Sequence, residues 1–139
     1  MTKKDMGEKK KSSISIEGLT KAKALLDQFI EDCNTDRDKA GVIKAFEFCY
    51  ELSWKLMKKV LFNLGVDIGS PKDSFREAAA NKLIKDPVIW FKFLEMRNRT
   101  VHTYDLAILE DIMKILPLFK KEVFDLIKTL KTEVEDSDL

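Results

Sequence analysis

The stretch from about Lys39 to Leu64 constrains this chain most. Apolar residues recur along it at spacings of three and four for about seven turns, and Gly65 follows as a helix stop. One row runs through Ile43, Phe46, Tyr50, Met57 and Val60, and a second beside it through Val42, Ala45, Cys49, Leu52 and Leu56. An apolar arc that wide must be covered from more than one side, so the spacing predicts a central helix in an all-α protein. Composition points the same way. With 5 Gly and 3 Pro in 139 residues there is too little turn punctuation for an all-β fold, and 45% hydrophobic residues suffice for one core.

Other helices are expected around this one. From about Ile16 to Cys33 the positions Leu19, Ala22, Leu26, Phe29 and Ile30 form an amphipathic stripe. Ser70 followed by Pro71 is a helix start, a capping side chain and then the residue that suits the first helical position, and a short helix should run to about Leu83. Asp86 and Pro87 repeat the device, and "VIWFKFLEM" carries the next helix. The last begins near Asp105 and uses Leu106, Leu109, Met113, Leu116, Val123, Ile127 and Leu130, with Pro117 expected to kink it. The architecture is read as an antiparallel up-and-down helical bundle of four long helices plus one short helix. Residues 1–13, with five lysines, read as a disordered basic tail, 14–133 as a single bundle domain, and 134–139 as a disordered acidic tail.

Several functions are disfavoured. A formal charge of +1 gives no global pull toward nucleic acid, so any phosphate contact has to come from a local patch. Cys33 and Cys49 with one histidine make no believable metal set, so no metal and no cofactor are expected, and both cysteines read as reduced core thiols. The lysines near the start have no apolar run behind them, and no stretch approaches the ~20 apolar residues of a membrane span. The expected location is the cytoplasm.

The residues with the most chemistry lie in "RNRTVHTY", which holds the only histidine. At about 100° per residue Arg97 shares a helix face with Trp90, Phe93, Leu94, Val101 and Tyr104, where an unpaired guanidinium would cost several kcal/mol, on the order of the penalty for burying a lone charge. It should therefore face an acidic group, a cleft or another subunit. The long helix offers Lys44, Glu47, Glu51, Lys55 and Lys58 at spacings of three and four, either as a solvated stripe or as a polar row against a neighbour, and Glu47 or Glu51 is the expected partner of Arg97. His102 falls about 140° from Arg97 on a straight helix, so the two do not converge. Either the helix loosens between Thr100 and Thr103, or the site is shared across a two-fold dimer. The residue types themselves reach as far as a phosphate-binding site.

Three ordered blocks add a resemblance. "FEFCYELSWK" from Phe46, "SPKDSFREAA" from Ser70 and "RNRTVHTYD" from Arg97 resemble the nucleotidyltransferase substrate-binding branch of the HEPN superfamily, over about residues 16–130. The resemblance implies a four- or five-helix bundle that forms a homodimer and pairs with a separately encoded minimal nucleotidyltransferase in a toxin-antitoxin-like operon. It also implies metal-independent RNA cleavage in catalytic members. There Arg97 would clamp a phosphate, His102 would move a proton from or to a ribose oxygen, and Asn98 would orient one of them. Tyr104 would be the acceptor of AMP from the partner enzyme, blocking the site. Two functions stand side by side: a binding subunit that uses Glu47, Glu51, Lys55 and Arg97 for nucleotide or RNA phosphate, and an endoribonuclease.

Overall fold

In a computed structural model of the chain, residues 15–102 and 105–137 are described, with side chains to 133. They form five α-helices, α1 (Glu17–Glu31), α2 (Asp36–Asn63), α3 (Pro71–Ala80), α4 (Pro87–Arg99) and α5 (Leu106–Ser137), with a single 3₁₀ turn, Thr100–His102, after α4. The protein is an all-α bundle, and α2 packs against all four other helices. The tail proposed at residues 1–13 lies outside the described residues. At the other end α5 continues to Ser137, past the boundary placed at residue 133.

Local chemistry sets where the helices begin. The Thr35 hydroxyl accepts the Asp38 N–H at 3.1 Å while Asp38 Oδ2 accepts the Thr35 N–H at 3.1 Å, a reciprocal cap that starts α2 three residues before Lys39. Asp38 also accepts the Asn34 N–H, and that bond first, then the Thr35 hydroxyl, holds its carboxyl below the ordinary value. Ser70 and Asp86 cap α3 and α4 with proline next in line, as the sequence implied.

Helix ends separate the readable from the unreadable. Gly65, at φ +93°, takes the left-handed position after α2, and the Val66 N–H reaches back to the Leu61 carbonyl at 2.8 Å. After α3 the same motif forms without a glycine: Lys82 sits at φ +64° and the Leu83 N–H bonds to the Ala78 carbonyl at 2.8 Å. The helix expected to reach Leu83 therefore stops at Ala80, because a lysine holds the position that glycine usually marks.

The core is aromatic at its centre. Phe46 of α2 stands edge-on to Phe119 of α5 at 4.8 Å, Phe93 of α4 meets Phe119 at 5.0 Å, and Trp90 meets Phe93 at 5.0 Å. Phe75 of α3 joins Tyr50 at 6.2 Å and Trp90 at 5.5 Å. Both predicted rows of α2 are buried except at Leu52, which remains 37% exposed. Phe29 and Leu106 are likewise more exposed than their spacing suggested, while Ile112, Phe119 and Leu126 of α5 are buried in addition to the expected row. Cys49 is fully buried and its thiol is pushed up to about 12 by burial, whereas Cys33 is only partly covered; both are free. Pro117 lies inside α5 without ending it.

The Lys82 conformation yields a stability prediction. A lysine side chain in the left-handed region carries a steric cost that glycine lacks, so Lys82→Gly should raise unfolding free energy by about 1 kcal/mol in urea denaturation. Loss of stability would mean that the lysine makes a compensating contact.

Candidate functional site

The sequence forces Arg97 onto the rim of the aromatic core. Trp90 and Phe93 precede it by seven and four positions on one face of α4, and both are fully buried. Its own side chain is 29% exposed, so it lacks a full hydration shell. Helix α2 supplies the compensation: Glu47 Oε2 lies 3.4 Å from Nη1 and Glu51 Oε2 lies 3.5 Å from Nε. The Nε contact is an ion pair only, since that nitrogen is enclosed and no acceptor meets it with hydrogen-bond geometry.

Thr100 ties these groups together. Its hydroxyl accepts from Arg97 Nη1 at 3.1 Å, and its one proton is shared between Glu47 Oε2 and the Arg97 carbonyl, 2.7 Å away. Glu51 in turn accepts the Trp54 indole N–H at 3.2 Å. Lys44 reaches Glu47 at 3.6 Å and Lys55 reaches Glu51 at 3.9 Å, both from exposed positions. The polar row of α2 is therefore divided in its roles, its carboxylates turned to Arg97 and its lysines turned to solvent. Tyr50 lies beneath with its hydroxyl enclosed and without a hydrogen-bond partner. Burial, reinforced by the Glu51 carboxylate and opposed by Arg97, raises its phenol above the ordinary value.

The helix does not continue in register past this cluster. Thr100 turns its hydroxyl back to the Arg97 carbonyl, and the chain tightens into the 3₁₀ turn Thr100–His102. Asp105 then starts α5: its N–H bonds to the His102 carbonyl at 2.9 Å and its carboxylate accepts the Ala107 N–H at 2.9 Å. Arg99 anchors the end of α4 to α5 through Asp111 at 3.0 Å.

Tightening to three residues per turn adds roughly 20° per residue. Val101, expected on the apolar face of Arg97, is instead 68% exposed. The same rotation carries His102 further from Arg97, from about 140° to roughly 180–200° round the axis. The chain tightens here where loosening was expected, and by helix geometry this moves the two residues apart within one chain.

Of the other candidate residues, Glu47, Glu51 and Arg97 gather at one point with Lys55 at its edge, while Asn98 is exposed beside a different groove, with Lys72 and Phe91. His102 is exposed in the 3₁₀ turn. Tyr104 lies outside the described residues. Neither Thr100 nor Trp54 was read from the sequence as a partner in this cluster. Thr100 carried a signal, a hydroxyl three residues after an arginine on a helix about to end; Trp54 carried none beyond its place beside the polar row. Among the described residues no His, Cys, Asp and Glu cluster could hold a metal ion, and no helix is long and apolar enough to cross a membrane.

The family described as nucleotidyltransferase substrate binding protein like matches residues 14–132. The chain belongs to that family. Within its fold, a solved Haemophilus influenzae protein, presented as revealing the fold of a substrate binding domain of a nucleotidyltransferase, superposes with TM-score 0.76 at 30% identity, covering 84% of this chain and 99% of that one. A solved Thermus thermophilus protein gives TM-score 0.76 at 25% identity, covering 81% of this chain and 98% of that one. A curated relative from Haemophilus influenzae, a probable ribonuclease HepT, is 48% identical over 71 residues. That match spans 48% of this chain and 49% of the relative, about half the length of each.

The cluster around Arg97 can be measured as a coupling. Glu47→Gln should cost about 1–2 kcal/mol in the wild type, because it weakens the compensation of a half-buried guanidinium, and much less in an Arg97→Met background. Urea denaturation of the four proteins reads this directly. Additive effects would show that Glu47 stabilises the fold independently of Arg97.

Proposed function

We propose that this chain is a HEPN-type nucleotidyltransferase substrate-binding subunit that pairs with a separately encoded minimal nucleotidyltransferase in a toxin-antitoxin-like system, and that it binds nucleotide or RNA phosphate as a homodimer. The observation that carries this reading is the 3₁₀ turn at Thr100–His102, from which helix geometry puts His102 roughly 180–200° round the α4 axis from Arg97. In a two-fold dimer, the arginine of one copy would face the histidine of the other, each site using both chains. Family membership supports the nucleotidyltransferase partner. Apolar side chains left on α1 and α2, Leu25 at 40%, Phe48 at 54% and Leu52 at 37% exposure, support association.

In this reading Arg97 has a double role. The carboxylates of Glu47 and Glu51 fix the guanidinium while part of it stays open to solvent, and Lys44 and Lys55 offset their negative charge toward an incoming phosphate. Tyr104 is proposed as the acceptor of AMP, whose phosphate would occupy the place that RNA phosphate needs.

A second reading, metal-independent RNA cleavage, is favoured by the Haemophilus influenzae relative named as a probable ribonuclease. Arg97 would then stabilise charge on the phosphate and His102 would take the 2′-hydroxyl proton or return one to the leaving oxygen, with Asn98 as a neighbouring polar contact.

Coexpression with the nucleotidyltransferase encoded beside it tests the first reading. The two proteins should copurify, and with ATP the wild type should gain AMP-sized mass increments that Tyr104→Phe does not; separate elution at micromolar concentration would count against the pairing. RNA cleavage persisting in EDTA and abolished by His102→Ala supports the second reading, and cleavage retained in that variant removes His102 from it.

A further inference from the structure

A second polar site lies on α4, away from the Arg97 cluster. Between α3 and α4 a cavity of about 380 Å³ is lined by Lys72, Phe91, Lys92, Glu95 and Asn98, with Val88 at its mouth, 53% exposed. Lys72 Nζ stands 5.6 Å from the Phe91 ring centroid and the Arg76 guanidinium 5.3 Å from it, so an aromatic ring gathers two cations at one edge of the groove. Arg76 is neutralised by Asp73 at 3.0 Å. Lys72 and Lys92 have no carboxylate partner among the described residues, which leaves two uncompensated positive charges facing one cavity whose lining contains one carboxylate, Glu95.

The groove also has a direction. Counting 100° per residue to Arg99 and about 120° through the 3₁₀ turn, Val88, Lys92 and Glu95 lie within roughly 40° of His102 round the axis, on the side opposite Arg97. Lys92 is about 16 Å from His102 along that axis. A chain lying in the groove therefore runs along α4 toward the histidine.

We propose that this groove binds the phosphodiester backbone of single-stranded RNA beyond the His102 position, with Lys72 and Lys92 contacting phosphates and the apolar surface of Val88 and Phe91 packing against a base. The proposal rests on the reading of His102 as an RNA phosphate contact and extends it to a track several nucleotides long. Lysines without a carboxylate partner beside a partly buried aromatic and an exposed apolar side chain, Phe91 and Val88, offer the combination that single-stranded nucleic acid uses, charge for the backbone and an apolar face for bases. Asn98 and Glu95 add hydrogen-bonding groups at the end nearer His102.

The test is the affinity of a 2′-O-methylated single-stranded RNA decamer, which cannot be cleaved through its 2′ oxygen, for the full chain with EDTA present. Lys72→Glu with Lys92→Glu should weaken binding tenfold or more and lower the slope of log affinity against log salt by about 1.4, roughly 0.7 for each lost phosphate contact. Lys128→Glu with Lys131→Glu on α5, an equal change in net charge, should change affinity no more than twofold. Should the charge reversals perturb folding, Lys72→Ala with Lys92→Ala should show the same drop in slope. No binding by the wild type, an unchanged slope, or an equal loss in the α5 control would overturn the groove. So would variants that keep RNA affinity but no longer copurify with the nucleotidyltransferase, which would make the groove a protein contact. Cleavage of unmodified RNA separates the two readings: a wild type that binds through the lysines without cleaving leaves the groove standing and removes the nuclease. Cleavage lost in His102→Ala with groove variants binding normally does the reverse.

Discussion

A guanidinium at the edge of an aromatic core must be paired, and the organisation of this protein's polar face follows from that requirement. Arg97 lies in line with Trp90 and Phe93, which fill the space between α2, α3 and α5. Leaving the arginine unpaired there would cost several kcal/mol, the usual order for a stranded charge. Glu47 and Glu51, one turn apart on α2, meet it from the neighbouring helix, and the Thr100 hydroxyl closes the network. The register between α2 and α4 is thus set by charge as well as by packing.

That network also shapes the end of α4. Thr100 serves both Glu47 and the Arg97 backbone from the first position of the 3₁₀ turn, and Val101 and His102, which follow it in that turn, are exposed. The group that neutralises the arginine is therefore continuous with the group that presents the histidine. One consequence is that α4 has two chemically different sides: an acidic clamp around Arg97, and a lysine-lined groove beside Phe91 on the side of His102.

Much of this was legible in the sequence. The two apolar rows of α2, the caps at Ser70 and Asp86, and the need of Arg97 for a carboxylate all follow from periodicity, residue type and the cost of burying charge. What escaped had physical reasons. The end of α3 was hidden because Lys82 occupies a conformation for which only glycine gives a sequence sign. The start of α2 was set by a cap at Thr35 within a run of polar residues, where several side chains are equally suitable. Phe29 and Leu52 obey the helical period yet each stays 37% exposed, Phe29 beside Gly41 of α2, so burial could not be read from spacing alone. The azimuth of His102 depended on a change of helix type, and straight-helix arithmetic does not contain it. Three sequence blocks conveyed the family, whereas no single residue in them conveyed whether the site is completed by one chain or two.

The central claim is that Arg97 and His102 act on a common phosphate from different copies of the chain. Mixing an Arg97→Ala chain with a His102→Ala chain and isolating the heterodimer by two affinity tags tests it most directly, with affinity for the 2′-O-methylated RNA as the readout. The account predicts that each homodimer binds weakly and that the heterodimer, with one intact Arg97 and His102 pair, recovers about half of the wild-type sites at wild-type affinity. A verified heterodimer that binds no better than either homodimer would contradict it and place both residues' work within a single chain.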